Sequence, residues 1–295
     1  MIKNLKYIII SMRPEQWTKN IFVFAGLLFA KKLDNIQTIV LSSTIFAIFC
    51  LVSSASYIFN DIIDRKEDVH HPDKSKRPVA SGRLNAGLAL ASSITLIVIG
   101  LGWAIALSHS LAQLVGAFLL LHIIYDFALK HIPILDVFSI ALSFIIRLFA
   151  GVCMTSIEFN ISSWILVCTF LLALFLALCK RRAEMALLSE RAREHRKSLG
   201  GYSIDFLDQL ITIAAACAII SYSLYALSAE SIAKHGTDKL MYTIPFVVFG
   251  VFRYLALVNL KKGGSNPEKI LARDAPFLIN VVVYSGLVYT ILYFK

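Results

Sequence analysis

Asp61, Asp64 and Asp68 follow the spacing i, i+3, i+7 within Asn60-Asp61-Ile62-Ile63-Asp64-Arg65-Lys66-Glu67-Asp68. On a continuing helix that spacing sets all three carboxylates on one face. Like charges gathered in this way are costly unless a cation sits among them. Oxygen ligands suit Mg2+, which commonly bridges to substrate phosphates. The three aspartates are therefore the candidate metal ligands and catalytic acids, and Asn60 can add a carbonyl or orient a phosphate. A solvated mixed-charge loop is the bland alternative, but it has no need of helical acid spacing at the end of an apolar run.

Bases follow at once. Lys74, Lys76, Arg77 and Arg83 lie in and just after a stretch bounded by Pro72 and Pro78, which is stiff and non-helical. Acids holding a metal beside bases holding phosphate oxygens make a site for a diphosphate. Lys74 and Arg77 are the candidate clamps, while Lys76 reads equally as surface. Further along, Tyr125-Asp126-Phe127-Ala128-Leu129-Lys130 precedes Pro133 and Asp136, and Arg147 follows Asp136 by eleven residues on the same helical face. Ionisable groups inside a span are expensive and face a polar cavity or a partner. Tyr125, Lys130 and Asp136 read as functional; Arg147 reads as either a substrate contact or half of a structural ion pair. Lys180 and Arg181, with Glu184, either line a cavity or mark the basic end of a helix. Lys19 and Asn20 can reach the same polar site. Of the seven histidines only His71 lies inside a motif, and the others are expected to be bystanders.

The elements carrying these residues are membrane helices. The chain has 295 residues, 58% hydrophobic and 16% charged, with mean hydropathy +0.72. Ordinary soluble domains are about 45–50% apolar and about 25% charged, so a typical soluble enzyme, a disordered chain and a fibrous repeat are excluded. A crossing helix needs about 20 mostly apolar residues. Nine segments qualify, at about 17–33, 36–59, 84–107, 110–129, 132–154, 161–179, 206–228, 240–260 and 275–293. With the N-terminus inside, 22 of the 29 Lys and Arg fall on inner segments and 5 on outer ones. That bias predicts N-inside, C-outside, a single integral-membrane domain over 1–295, and chemistry on the cytoplasmic side.

Other classes find no support. The five cysteines lie in or at the end of apolar runs without CxxC spacing, so neither a disulfide framework nor a zinc site is implied. No cleavable signal peptide is evident. There is no P-loop, GxGxxG, HExxH or GxSxG pattern, and nucleic-acid binding is not expected.

The NDxxDxxxD pattern at 60–68 resembles the first Asp-rich motif of the UbiA-type intramembrane prenyltransferase superfamily. RPEQWTKN (13–20), NDIIDRKEDVHHPDKSKRPVASGRL (60–84), YDFALKHIPILDVF (125–138), RLFAG (147–151), CKRRAEM (179–185) and EHRKSLGGYSIDFLDQL (194–210) are similar to its decaprenyl-phosphate phosphoribosyltransferase branch. The resemblance implies an all-α bundle of nine transmembrane helices around a central polar cavity open to the cytoplasmic side and to lipid. It also implies Mg2+-dependent transfer of phosphoribosyl from phosphoribosyl pyrophosphate to a polyprenyl phosphate, feeding arabinose or ribose donors for surface glycans. In that reading Asp61, Asp64 and Asp68 hold Mg2+ and are catalytic with Lys130 and Tyr125, and Lys19, Asn60, Lys74, Arg77, Asp136, Arg147, Lys180 and Arg181 bind substrate. The aromatic prenyltransferase branch carries a second acid-rich motif where this chain has Lys180-Arg181-Arg182. That branch is one alternative; a non-catalytic anion or lipid transporter is another.

Overall fold

The computed structural model describes residues 2–29, 34–153, 162–188, 197–260 and 273–294. The expected motif residues Glu194, His195 and Arg196 lie outside them. Every regular element among the described residues is helical. In order they are α1 (Ile2–Met12), a 3-10 helix (Pro14–Ile21), α2 (Phe22–Phe29), α3 (Ile36–Ile63), a single turn α4 (Arg65–Asp68), α5 (Ala86–Leu107), α6 (His109–Phe127), α7 (Leu135–Val152), α8 (Ser163–Leu188), α9 (Ile204–Leu227), α10 (Ala229–His235), α11 (Ile244–Leu260) and α12 (Ala275–Tyr293).

Eight of these, α3, α5 to α9, α11 with the 3-10 turn before it, and α12, are long and apolar enough to cross a membrane. Large apolar side chains such as Val98, Ile105, Ile213, Ile220 and Val282 stand exposed along them, as a lipid solvent allows and water does not. The chain is an integral membrane protein.

The expected first span, 17–33, takes a different form. Its described part is the end of the 3-10 helix followed by α2, which has eight residues and rises only about 12 Å against a hydrocarbon core of about 30 Å. Lys19 and Asn20 interrupt the apolar run that a regular crossing helix needs. This stretch lies along α3. Arg13 bonds Asp61, Trp17 Nε1 donates to Ser54 Oγ at 3.0 Å, Asn20 Nδ2 donates to Ser53 Oγ at 3.3 Å, and the Phe24 ring is 5.7 Å from that of Phe46. Its partners thus step down α3 from 61 to 46, roughly 20 Å of helix.

The chain divides into two compact units. Unit 1 comprises residues 1–132 and 146–159. Asn35 and Asn85 start α3 and α5 by accepting bonds from the N–H groups of Gln37 and Thr38 and of Gly87 and Leu88, relieving donors that a helix start leaves unpaired. Its core joins Val23, Ile48, Phe49, Val115, Phe118 and Ala150. A Cβ on Gly151 would lie 1.9 Å from the Val23 carbonyl oxygen, so the two backbones meet there only because residue 151 has no side chain. Unit 2 comprises residues 133–145 and 160–295. There α8 and α9 pack along their length over a core including Phe175, Leu178, Leu207, Ile211 and Tyr254.

Candidate active site

The acids sit where α3 ends. Hydrogen bonds from Asp64 N–H to Asn60 O and from Asp68 N–H to Asp64 O carry the helical path across the α3–α4 junction. The expected spacing therefore operates on a real, slightly broken helix. Asp61 is 1% exposed. Its Oδ1 accepts from Arg13 and lies 3.2 Å from Arg77 Nη1. Arg77 Nη1 also donates to Asp68 Oδ2 at 2.6 Å, so one guanidinium joins two of the three motif acids. Asp64 accepts from the buried Lys130 ammonium, and its Oδ2 accepts from Asn60 Nδ2 at 3.1 Å. The same Asn60 amide donates to Asp126 Oδ1 at 2.6 Å.

The loop carrying the bases folds back onto this end of α3. Val79 and Leu84 bury against Ile58 and Ala89, which fixes the loop by apolar contact. His71 Nδ1 accepts from the N–H groups of Asp73 and Lys74, so the one histidine within a motif organises the turn that presents Arg77. Burial pushes the Asp68 carboxyl above its ordinary range, outweighing Arg77 and Lys74, and the Asp64 charge adds to the rise. Burial works against the Arg13 charge, but Asp61, Tyr57 and Asp68 more than offset it and hold Arg13 above its usual value.

Deeper in unit 1, the buried Arg147 Nε donates to Asn20 Oδ1 at 2.8 Å. Its guanidinium carbon lies 4.7 Å from the centre of the Phe118 ring, a cation–π distance. Asn20 Nδ2 turns the other way, to Ser53 and Cys50.

Unit 2 holds a separate buried polar cluster. Asp136, 0% exposed, accepts from Arg181 Nε at 2.8 Å, from Ser198 Oγ at 3.2 Å and from Tyr202 Oη at 2.7 Å. Arg181, 2% exposed, also donates to Glu184 Oε2 at 2.6 Å. Tyr202 Oη accepts the Ile134 N–H at 2.5 Å. Ile134 has φ +70°, a left-handed conformation that a β-branched residue rarely takes.

The sequence pattern of the UbiA prenyltransferase family matches residues 20–281. The chain belongs to the UbiA prenyltransferase family. A decaprenyl-phosphate phosphoribosyltransferase of Corynebacterium glutamicum is 33% identical over 272 residues, covering 90% of this chain and 80% of that protein. One from Mycobacterium tuberculosis is 31% identical over 268 residues, covering 90% and 87%. The solved UbiA homolog from Archaeoglobus fulgidus bound to GPP and Mg2+ matches with a TM-score of 0.73 and 18% identity over 97% of this chain and 99% of that one; that likeness speaks for the fold. This UbiA-family chain is a transferase.

Within this UbiA member, the expected residues fall into two groups. Unit 1 brings Asn60, Asp61, Asp64, Asp68, Arg77 and Lys130 together, and holds Arg147 against Asn20. Tyr125, Lys19 and Lys74 are half-buried in the same unit. Unit 2 ties Asp136 to Arg181, with the half-buried Lys180 next in sequence. Two residues of the acid–base cluster were not singled out by spacing. Arg13 belongs to the RPEQWTKN run, but its reach to Asp61 depends on a left-handed backbone at φ 52°. Asp126 adjoins Tyr125, and only its pairing with Asn60 reveals it.

The donors fit a magnesium ion of the usual kind. Asp61 Oδ2 is sealed from solvent and has no hydrogen-bond partner, which in a native fold calls for a partner from outside the chain. Among the described residues no three acids, histidines or cysteines form a ready-made metal cage. Mg2+ rarely needs one: it is typically held by one or two carboxylates, waters and substrate phosphates.

Proposed function

We propose that this protein transfers a 5-phosphoribosyl group from phosphoribosyl pyrophosphate to a polyprenyl phosphate, releasing pyrophosphate, with Mg2+ as cofactor. The observation that carries the reading is the matching of every motif aspartate to a cation: Arg13 and Arg77 on Asp61, Arg77 on Asp68, Lys130 on Asp64. A site of interleaved acids and bases suits a metal-bound diphosphate beside further phosphate groups. The relatives' names supply the pentosyl chemistry. The basic Lys180-Arg181-Arg182 run, where aromatic prenyltransferases carry acids, supports the same choice.

Asp61, Asp64 and Asp68 would hold Mg2+, with Asn60 assisting. When bound, the ion neutralises charge on the departing pyrophosphate. Arg77 and Lys74 bind donor phosphate oxygens from the folded-back loop. Lys130 and Tyr125 orient a phosphate at the same mouth, and Lys19 and Arg147 hold one deeper in unit 1. The C1–O bond to pyrophosphate breaks and a C1–O bond to the lipid phosphate forms. The acceptor is already an anion, so the chain's task is positioning and charge screening rather than strong base catalysis. Asp136 and Arg181, expected as substrate contacts, are paired with each other out of solvent in unit 2. The proposed setting is a bacterial cytoplasmic membrane, with nine crossings in a single transferase domain, the N-terminus and the acid–base site inside and the C-terminus outside.

The test is purified protein with Mg2+, phosphoribosyl pyrophosphate and a mixture of polyprenyl phosphates, with lipid products read by mass spectrometry. Phosphoribosylated polyprenyl phosphate and free pyrophosphate are expected. Product formed only from an allylic diphosphate and an aromatic acceptor would instead make it an aromatic prenyltransferase. No pyrophosphate from any donor would leave a transporter or scaffold.

A further inference from the structure

The ends of α3 and α6 clasp each other through two links of equal spacing. Asn60 Nδ2 donates to Asp126 Oδ1 at 2.6 Å, and four residues on, the Lys130 ammonium donates to Asp64. Both links join residues 66 apart in the chain. The Phe59 and Phe127 rings meet edge to face beside them, with centroids 6.2 Å apart. Three of the four polar residues, Asn60, Asp64 and Lys130, already have a part in the proposed site. Asp126, 3% exposed, has none.

An acid is a costly way to pin a helix end. A further carboxylate near Asp64 adds repulsion that a carbonyl or hydroxyl acceptor would avoid. What the carboxylate adds is direction. An ionised carboxylate only accepts, so it admits the Asn60 amide with Nδ2 toward it and Oδ1 away. Asp64 Oδ2 imposes the same sense, accepting from the same Nδ2 at 3.1 Å. Both amide hydrogens are thereby committed to acids, and two contacts fix the amide plane. Oδ1, turned from both acids, is the kind of oxygen that a hard cation or its water takes as a ligand. The flipped amide would present N–H groups there and repel a cation.

We propose that Asp126 is a positioning residue for the cation site: it locks the Asn60 amide in the one orientation that can serve Mg2+, with both hydrogens on carboxylates and the oxygen kept for the ion. The proposal rests on the reading of the motif aspartates as Mg2+ ligands, and not on which group is transferred.

The probe is Mn2+ alone, which suits the same oxygen ligands as Mg2+ and whose free fraction is read by electron paramagnetic resonance on the purified full chain. Asp126→Ala is expected to weaken Mn2+ binding by roughly 10-fold or more, the usual loss when the partner of a metal ligand is removed. Asp126→Asn, which can turn its own carbonyl to Nδ2 of Asn60, should recover part of that loss. The deciding measurement is the double-mutant cycle with Asn60→Ala. If Asp126 acts through Asn60, Asp126→Ala should cost little more once the amide is gone. An equal loss in both backgrounds is a bare charge effect and overturns the proposal. Unchanged binding in a folded Asp126→Ala, or a wild type that binds no Mn2+, overturns it too. A second readout needs no change at position 126. In the wild type labelled with 15N-asparagine, the Asn60 side-chain signal is identified by its absence in Asn60→Ala. Both Nδ2 hydrogens should exchange slowly with solvent, and rapid exchange of either overturns the clamp. An additive cycle in an enzyme that still makes phosphoribosyl product sinks the positioning role and leaves the transfer reading standing. Wild type that passes the cycle yet makes no such product defeats the transfer reading alone, since Mn2+ binding is read without substrate.

Discussion

Arg77 holds two acids at once, and its loss is felt twice. Arg77→Ala leaves Asp61 and Asp68 short of a shared cation while both stay buried. Arg77 itself is about a fifth exposed, so the cost falls below that of a fully buried pair, at roughly 2–3 kcal/mol. Thermal unfolding in detergent should show this as a lower Tm, and added Mg2+ should restore more stability to the variant than to the wild type. Asp64→Asn should behave differently. Asp64 is the more open acid, with its side chain 19% exposed, so the variant should fold with little change in Tm yet lose Mg2+-dependent turnover. Chelation with EDTA should silence the wild type in the same way, and Mg2+ should restore it. The three aspartates were legible because helical spacing survives in sequence. Arg13 and Asp126 were not: one reaches the cluster through a left-handed backbone turn and the other through the amide of Asn60.

Among elements, the long helices matched their apolar runs, since burial in lipid demands continuous hydrophobicity. The structure adds a turn to the second expected span, carrying α3 on to Ile63 and so including Asp61. The first expected segment is built in its described part of two pieces, because apolar length alone does not distinguish one helix from a 3-10 stretch joined to a short helix. Two close approaches can be tested at this scale. Gly151→Ala drives a methyl into the Val23 carbonyl, and parting the two backbones should cost roughly 2–4 kcal/mol, read as a lower Tm. The turn before α7 is held by Tyr202, whose hydroxyl accepts from the Ile134 N–H and donates to Asp136. Tyr202→Phe should destabilise by about 1–3 kcal/mol. Ile134→Gly should do the opposite by several tenths of a kcal/mol, because the left-handed cost of about 1–2 kcal/mol exceeds the added chain entropy.

For the whole molecule, the family match spans residues 20–281 and so takes in both units. The net charge of +10 carries the proposed topology, since basic residues concentrate on alternate segments. The pairing of individual charges was less legible: nothing in the sequence matches Asp136 with Arg181, which the structure brings together. The proposed arrangement predicts opposite locations for the two termini. Single cysteines near Lys6 and near Phe294, in a background without the native cysteines, should be labelled by a membrane-impermeant thiol reagent only at the C-terminal position in intact cells or protoplasts.

The polar 3-10 stretch beside α3 also bears on how the chain is made. Residues 14–21 carry Glu15, Gln16, Lys19 and Asn20, and a charged group at mid-bilayer costs about 2.5–3.5 kcal/mol even by the mildest scale. Its hydrogen-bonding groups find partners such as Ser53, Ser54 and Cys50, all supplied by a helix synthesised later. The opening segment is therefore expected not to integrate on its own as it leaves the ribosome. It must wait at the surface until the following hairpin arm arrives, and nascent chains cut short before residue 36 should remain extractable by alkaline carbonate.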